Sequence, residues 1–401
     1  MNGRIPTRAL ACVVLGLLAG AGVSAQDVQD EARNLALGFL PYKPASVAQV
    51  TVNHDVETPA GRYLSLSVLR TSLRNDKNPD QLNMIVDPQS NSAVVGMVFP
   101  LPAVQPPVTA ETLPAFVEQA LPSFLQQLLG GGTRVHWPVV PIRPGPVVNL
   151  TADVQTGYGM MKMPIAVTAD GKWLALGGSW PLDRDPRAVR RELLASATVE
   201  WDPGHDNAPL KVIEFSDYEC PACKRGWGEV APIFASFGAK LRHGVANFPL
   251  VANHPWAFRA AVAGVCISQL WPDKLLAFKE DMYRLQSSLS VETLDDAVFG
   301  FLTEQSLENA PYQAFKACYM KDPAIERVLK NLELGYRLGV AGTPTYYANG
   351  EALPYGQKEW IEKRLQAILD AGGKPEKAAE ITVSEPAPSP TAAPPRPAPK
   401  R

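Results

Sequence analysis

Cys220-Pro221-Ala222-Cys223 is the stretch of this chain whose residue types and spacing most directly imply chemistry. Two intervening residues bring the sulfurs within bonding reach, so the pair can cycle between dithiol and disulfide. Lys211–Ser216 reads as a short apolar strand, and the pattern from Pro221 to about Phe237 reads as a helix. Cys220 therefore falls at a helix N-terminus. Free N–H groups and the positive end of the helix dipole stabilise a thiolate there. Cys220 is the expected nucleophile, with a depressed pKa. Cys223, one turn on and more buried, is the expected resolving thiol. Pro221 suits the first turn, where its missing N–H is no loss. Two other readings compete. Half a zinc site would need a second ligand pair, and no further C-x-x-C or H-x3-H spacing exists. A static disulfide is the other.

The rest of the chain limits where such chemistry operates. Its 401 residues are 46% hydrophobic, enough for two or three domains with a sizeable core. The charge is close to balanced, with 38 basic and 40 acidic residues. That excludes a basic nucleic-acid surface and electrostatic capture by an anionic membrane. Arg4 and Arg8, the apolar run Ala9–Val23 and the small residues Val23-Ser24-Ala25 read as a cleavable secretory signal over 1–25. The run is short for a membrane span, so no stable membrane anchor is expected, and the destination is the periplasm. Cys12 leaves with the signal. Cys220, Cys223, Cys266 and Cys318 remain, an even number consistent with two disulfides in an exported protein.

Several elements must position the cysteine pair. Residues 26–106 read as β-rich, with strands near 62–68, 82–86 and 93–99. Residues 109–129 carry an apolar stripe at helical spacing, with Thr109 as N-cap and a kink at Pro122. The stripe implies packing on a sheet or, alternatively, a subunit interface. The proline-rich stretch 137–146 is expected to be extended. A hairpin follows around Asp170-Gly171, and 62–66 resembles 172–176, which hints at a duplicated β unit. The N-terminal region 26–185 is thus a separate α+β unit, joined by a helical connector over 186–207. From 208 to 373 the order is β-α-β, a helical block over about 255–338, then β-β-α. Strands are expected at 211–216, 245–250, 345–348 and 353–355. Residues 374–401 are rich in Pro, Ala and Ser and are expected to be disordered.

The segment Glu214–Cys223 resembles the active-site segment of DsbA-like (DsbA/BdbD-type) thiol:disulfide oxidoreductases. Gly339–Thr345 resembles their cis-proline loop. His254, Ala257, Ala260-Ala261 and Cys266 resemble the start of their helical insertion. The resemblance spans about 208–372 and implies an α/β thioredoxin fold with a helical insertion. It implies a cis peptide between Thr343 and Pro344, with that loop facing the cysteines and pairing with the substrate backbone. It also implies that Glu214 is a buried proton acceptor for Cys223, with a pKa raised by burial (a salt-bridged surface acid is the alternative), and that Cys266 and Cys318 form a structural disulfide. A disulfide that tunes the active site, or two free thiols, are the alternatives for that pair. Asp217 and Glu219 are expected to be exposed. His254 is read as marking a helix start, and His243 has no evident partner. A fainter resemblance of 169–183 to the region before the connector in DsbC-like isomerases implies a homodimer through the N-terminal region.

These readings combine into an exported enzyme that exchanges disulfides with client proteins and needs no cofactor or metal. A separate redox partner resets the dithiol. The direction leans to dithiol oxidase, with isomerase or reductase as the alternative. A rival of another class is an envelope binding module that acts as a chaperone or holds a soft metal through the thiolates.

Overall fold

The computed structural model describes residues 25–41, 46–72, 80–101, 111–130, 132–136, 145–307 and 312–372. The signal segment (except Ala25), the Pro/Ala-rich tail and nearly all of the proline-rich stretch lie outside the described residues. No described helix is long and apolar enough to cross a membrane.

Helix α1 (Ala25–Phe39) precedes strands β1 (Ser46–Thr58), β2 (Gly61–Ser72), β3 (Asp80–Asp87) and β4 (Ser92–Pro100). Helix α2 (Leu113–Leu129) precedes β5 (Arg134–His136), β6 (Val147–Thr156), β7 (Gly159–Thr168) and β8 (Trp173–Pro181). The chain thus runs twice through a helix and a four-strand meander. All eight strands join one sheet in the order β1-β2-β3-β4-β8-β7-β6-β5. Where the meanders meet, Gly96 on β4 lies opposite Gly177 on β8. A Cβ on Gly96 would stand 2.0 Å from the Leu176 carbonyl oxygen, and one on Gly177 2.1 Å from that of Val95. This reciprocal contact marks an approximate two-fold axis. The likeness of 62–66 to 172–176 is out of phase with it, because it aligns β2 with β8, whereas the structural counterpart of β2 is β6.

Helix α1 departs from the β-rich reading of 26–106. Val28, Ala32, Leu35, Ala36 and Phe39 bury one face of it at helical spacing. In α2 the N-cap position is Thr112, not Thr109. Its buried stripe of Leu113, Val117, Leu121, Leu125 and Leu129 joins the main core, and Phe124 packs against Phe99 of β4 at 5.1 Å between ring centroids.

The connector region is helical only over α3 (Pro186–Leu194), capped by the Asp185 side chain on the Arg187 N–H. It then contributes β9 (Glu200–Trp201) to a second sheet, which therefore begins before the expected boundary at 208. The sheet continues with β10 (Leu210–Ser216), α4 (Pro221–Phe237) and β11 (Leu241–Asn247). The helical block comprises α5 (Ala257–Leu270), α6 (Leu275–Leu285), α7 (Leu294–Glu304), α8 (Tyr312–Tyr319) and α9 (Asp322–Arg337). Strands β12 (Thr345–Ala348) and β13 (Glu351–Ala352) and helix α10 (Lys358–Asp370) complete it. The strand order is β13-β12-β10-β11-β9, with β10 and β11 parallel. β10 is central, with Val212, Ile213 and Phe215 buried, as a strand covered on both faces requires. β11 starts earlier than the 245–250 expectation because Leu241 already packs in the core, while 248–250 turn away from the sheet. The short run at 353–355 is not a strand; the pairing falls on 351–352.

The two sheets are not cored independently. Helix α9 packs on β7 and β8, and Tyr158 stacks on Phe258 of α5 at 3.8 Å. One apolar cluster runs from α1 through the N-terminal sheet into the helical block. Cys266 on α5 and Cys318 on α8 are joined by a disulfide.

Candidate active site

Strand β10 ends at Ser216, and a tight turn delivers Cys220 to the N-cap position of α4. Asp217 anchors that turn. Its carboxylate accepts from the N–H groups of Glu219 and Leu250, both at 2.8 Å, and lies 2.7 Å from His254 Nδ1. Asp217 is buried, contrary to the expectation of exposure, because these partners replace its water. Glu219 is partly buried and accepts from the Trp256 N–H at 2.8 Å. His254 is therefore more than a helix-start marker. Its hydrogen bond to Asp217 holds its pKa above the ordinary value despite partial burial. From the helical block, Gln286 donates to the carbonyls of Tyr218 and Cys220 at 2.9 and 3.1 Å.

Cys220 and Cys223 are both free thiols here. The Thr343–Pro344 peptide bond is cis, and the Thr343 carbonyl lies 3.4 Å from Cys220 Sγ. The Cys220 pKa is pulled down to about 5, chiefly by the hydrogen bond from Cys223. Burial and the Asp217 carboxylate oppose that shift, and the Thr343 and backbone contacts assist it. Cys223 is pushed the other way, first by burial and then by the neighbouring Cys220 and Glu214 charges. The two thiols are thus driven apart in acidity, which suits one as attacking thiolate and the other as a retained proton.

Beneath Cys223 lies a buried charged cluster. Glu214 accepts from Ser216 Oγ at 2.7 Å, faces His243 Nε2 at 3.0 Å and is ion-paired with Lys279 of α6. Tyr283 completes the chain with its hydroxyl 3.1 Å from Ser216 Oγ. Lys279 also stands 4.2 Å over the Trp227 ring. Burial alone would raise the Glu214 pKa, as the sequence suggested. The Lys279 charge and the His243 contacts outweigh it and hold the carboxyl at about 2. Glu214 is thus held in its ionised form by Lys279 and His243, against the raised pKa expected of it. His243, which seemed unpartnered, is one of the groups responsible. Lys279, Tyr283 and Gln286 also escaped the sequence reading, because nothing in an amphipathic helical pattern marks which polar residue turns inward.

Residues 199–371 match the family model described as Thioredoxin. The chain is 26% identical over 194 residues to the probable disulfide bond formation protein D of Bacillus cereus, covering 47% of this chain and 88% of that protein. It is 28% identical over 172 residues to the disulfide bond formation protein D of Bacillus subtilis, covering 41% of this chain and 76% of that one. Among solved structures, oxidised BdbD from Bacillus subtilis superposes with a TM-score of 0.36 at 21% identity, covering 43% of this chain and 93% of that one.

Residues 199–371 form a thioredoxin-fold domain that resembles the DsbA-like thiol:disulfide oxidoreductases. In this DsbA-like domain the β10–α4 junction carries the cysteine pair, and the loop before β12 brings Thr343 and Pro344 to it. The helical block supplies Lys279, Tyr283 and Gln286 from α6 and the turn after it. Cys266 and Cys318 lie within the helical block and are bonded to each other, leaving Cys220 and Cys223 as the free thiols among the described residues.

Proposed function

We propose that this oxidoreductase exchanges disulfides with client proteins through Cys220 and Cys223 after export to the periplasm. The observation that carries the reading is the placement of Cys220: a low-pKa sulfur at a helix N-terminus, facing the carbonyl of a cis-proline loop. In the oxidising direction a client thiolate attacks Cys220 Sγ of the Cys220–Cys223 disulfide. The bond to Cys223 breaks, and the electron pair and a proton end on Cys223. A second client thiolate then attacks the client sulfur of the mixed disulfide, forming the client disulfide and releasing the Cys220 thiolate. Two client thiols are oxidised per enzyme disulfide reduced, and a redox partner restores the pair. In the reducing direction the Cys220 thiolate attacks and Cys223 resolves.

A stabilised Cys220 thiolate favours the reduced enzyme, which supports oxidase over isomerase or reductase. Thr343 and Pro344 present the loop backbone to the client. Glu214 takes the role of a positioning residue that fixes Lys279, Ser216 and His243 beneath Cys223. The 1–25 signal supports periplasmic localisation.

The test is trapping in the full mature chain. Cys223→Ser should accumulate mixed disulfides with client proteins, and Cys220→Ser should accumulate none. Retained biological activity in the Cys220→Ser variant would favour the binding-module reading.

A further inference from the structure

Helix α4 carries two interior glycines, Gly226 and Gly228, although glycine is a poor helix former. Neither has a positive φ, so the backbone does not call for glycine at either place. Gly228 is exposed, and a Cβ there would meet nothing within 4 Å. Gly226 is different. It is buried on the helix face that also carries Cys223, Trp227 and Val230. A Cβ on it would stand 3.0 Å from Tyr355 Cε2, 3.1 Å from Pro344 Cγ and 3.1 Å from the Tyr346 hydroxyl. The three groups that crowd this point all belong to the segment that begins at the cis-proline and ends before α10.

Two of the three are held in place. Tyr346 is buried on β12, opposite Glu214 in the β10–β12 ladder, with its ring edge-on to Phe234. Pro344 directly precedes that strand, so its ring moves only with the loop. Tyr355 is exposed, but its hydroxyl donates to the Ala222 carbonyl, between the cysteines, at 3.2 Å. It therefore spans the same turn of α4. Glycine leaves a notch one turn beyond Cys223, and the cis-proline loop settles into it.

Resting on the disulfide-exchange reading above, we propose that Gly226 is a positioning residue of the redox site: its missing side chain lets Pro344 pack on the backbone of α4 and so sets how closely Thr343 approaches Cys220. The Thr343 carbonyl lies 3.4 Å from Cys220 Sγ, and the Thr343 side chain helps to lower the Cys220 pKa. Carbon atoms in contact prefer a separation of about 3.5–4.0 Å. A side chain at 226 therefore pushes the loop off the helix, and Thr343 recedes with it.

The experiment uses the full mature chain and compares Gly226→Ala and Gly226→Val with Gly228→Ala and Gly228→Val, which make the same changes on the open side of the same helix. Two quantities are read: kcat/KM for exchange with a cysteine peptide, and the pH midpoint of Cys220 alkylation by iodoacetamide in the reduced protein. Gly226→Val should lower kcat/KM about tenfold, the order expected for a fraction of an ångström of misplacement at a reacting group. It should also raise the alkylation midpoint from about 5. Gly226→Ala should do both to a smaller extent, and the Gly228 variants should stay near the wild type. Wild-type values in a folded Gly226→Val protein overturn the proposal, and so do equal effects from the Gly228 variants. A fall in thermal stability with an unmoved midpoint gives Gly226 a packing role alone and overturns it too. Should Gly226→Val fail to fold, Gly226→Ala decides by the same midpoint. Absence of exchange with any peptide in the wild type would instead remove the exchange reading, while the midpoint still tests the placement of Thr343.

Discussion

At Cys220 the acidity is set by near neighbours. The motif carries no charged or histidine residue between its cysteines, so the sequence could supply only the helix terminus as a cause. The structure adds the Cys223 hydrogen bond and the Thr343 side chain, which come from a residue one turn away and from a loop more than a hundred residues on. A group with a lowered pKa stabilises the reduced state above its unfolded pKa, and that contribution is lost as pH falls through the folded value. The reduced protein should therefore gain over the oxidised one as pH rises past about 5. The potential should fall by roughly 59 mV per pH unit below that point and by roughly 30 mV above it, since one proton rather than two then accompanies the two electrons. A potentiometric series across this range checks it, and a single slope throughout would count against a Cys220 thiolate. Glu214 shows the opposite limit of sequence reading. Its burial was legible from the apolar strand around it, but its ionisation was not, because Lys279 arrives from α6. Glu214→Gln leaves Lys279 buried without its counter-charge, so a loss of about 3–5 kcal/mol is expected in denaturant unfolding. The Glu214 contribution should survive mild acid. Its pKa is depressed to about 2, so the stability is present above the ordinary carboxylate range and is lost only as pH falls towards that value.

Among the elements, those with a single strong period were legible, and those defined by long-range pairing were not. The β10–α4 junction follows from an apolar run ending at a proline-started helix, and α10 follows from its apolar stripe. β9 and β13 are two residues each and exist only because β11 and β12 offer partners, so no local pattern announces them. Helix α1 was hidden behind charged residues, although its five buried positions keep helical spacing. The helical block depends on the bond between α5 and α8, whose cysteines are 52 residues apart. Closing a loop of that size contributes about 4 kcal/mol in the chain-entropy model. A Cys266→Ala, Cys318→Ala variant should lower the unfolding free energy by that order while leaving the Cys220/Cys223 potential near the wild-type value. A potential that moved with the bond would instead give it a tuning role.

Across the whole molecule the unexpected feature is how the N-terminal half is built and attached. A duplication was faintly visible in the sequence but in the wrong phase, because the eye matched two aromatic-containing strands rather than two meanders. The two meanders join through the β4–β8 ladder, whose Gly96–Gly177 pair sits at the pseudo-two-fold, where any side chain would meet backbone. Gly96→Ala should cost roughly 1–3 kcal/mol. Gly300→Ala in α7, where a Cβ meets nothing within 4 Å, should be neutral or stabilising. Thermal unfolding of the two variants side by side tests this contrast. Because α9 and the approach to Pro344 rest on the same sheet, opening it should also disturb the redox site. The most direct measurement of the central claim is the equilibrium of the Cys220/Cys223 pair with glutathione in the mature protein, with Cys223→Ser as control. The structure predicts a reversible two-electron couple on the oxidising side, nearer −120 mV than −200 mV. A protein with no reversible couple would contradict the claim outright.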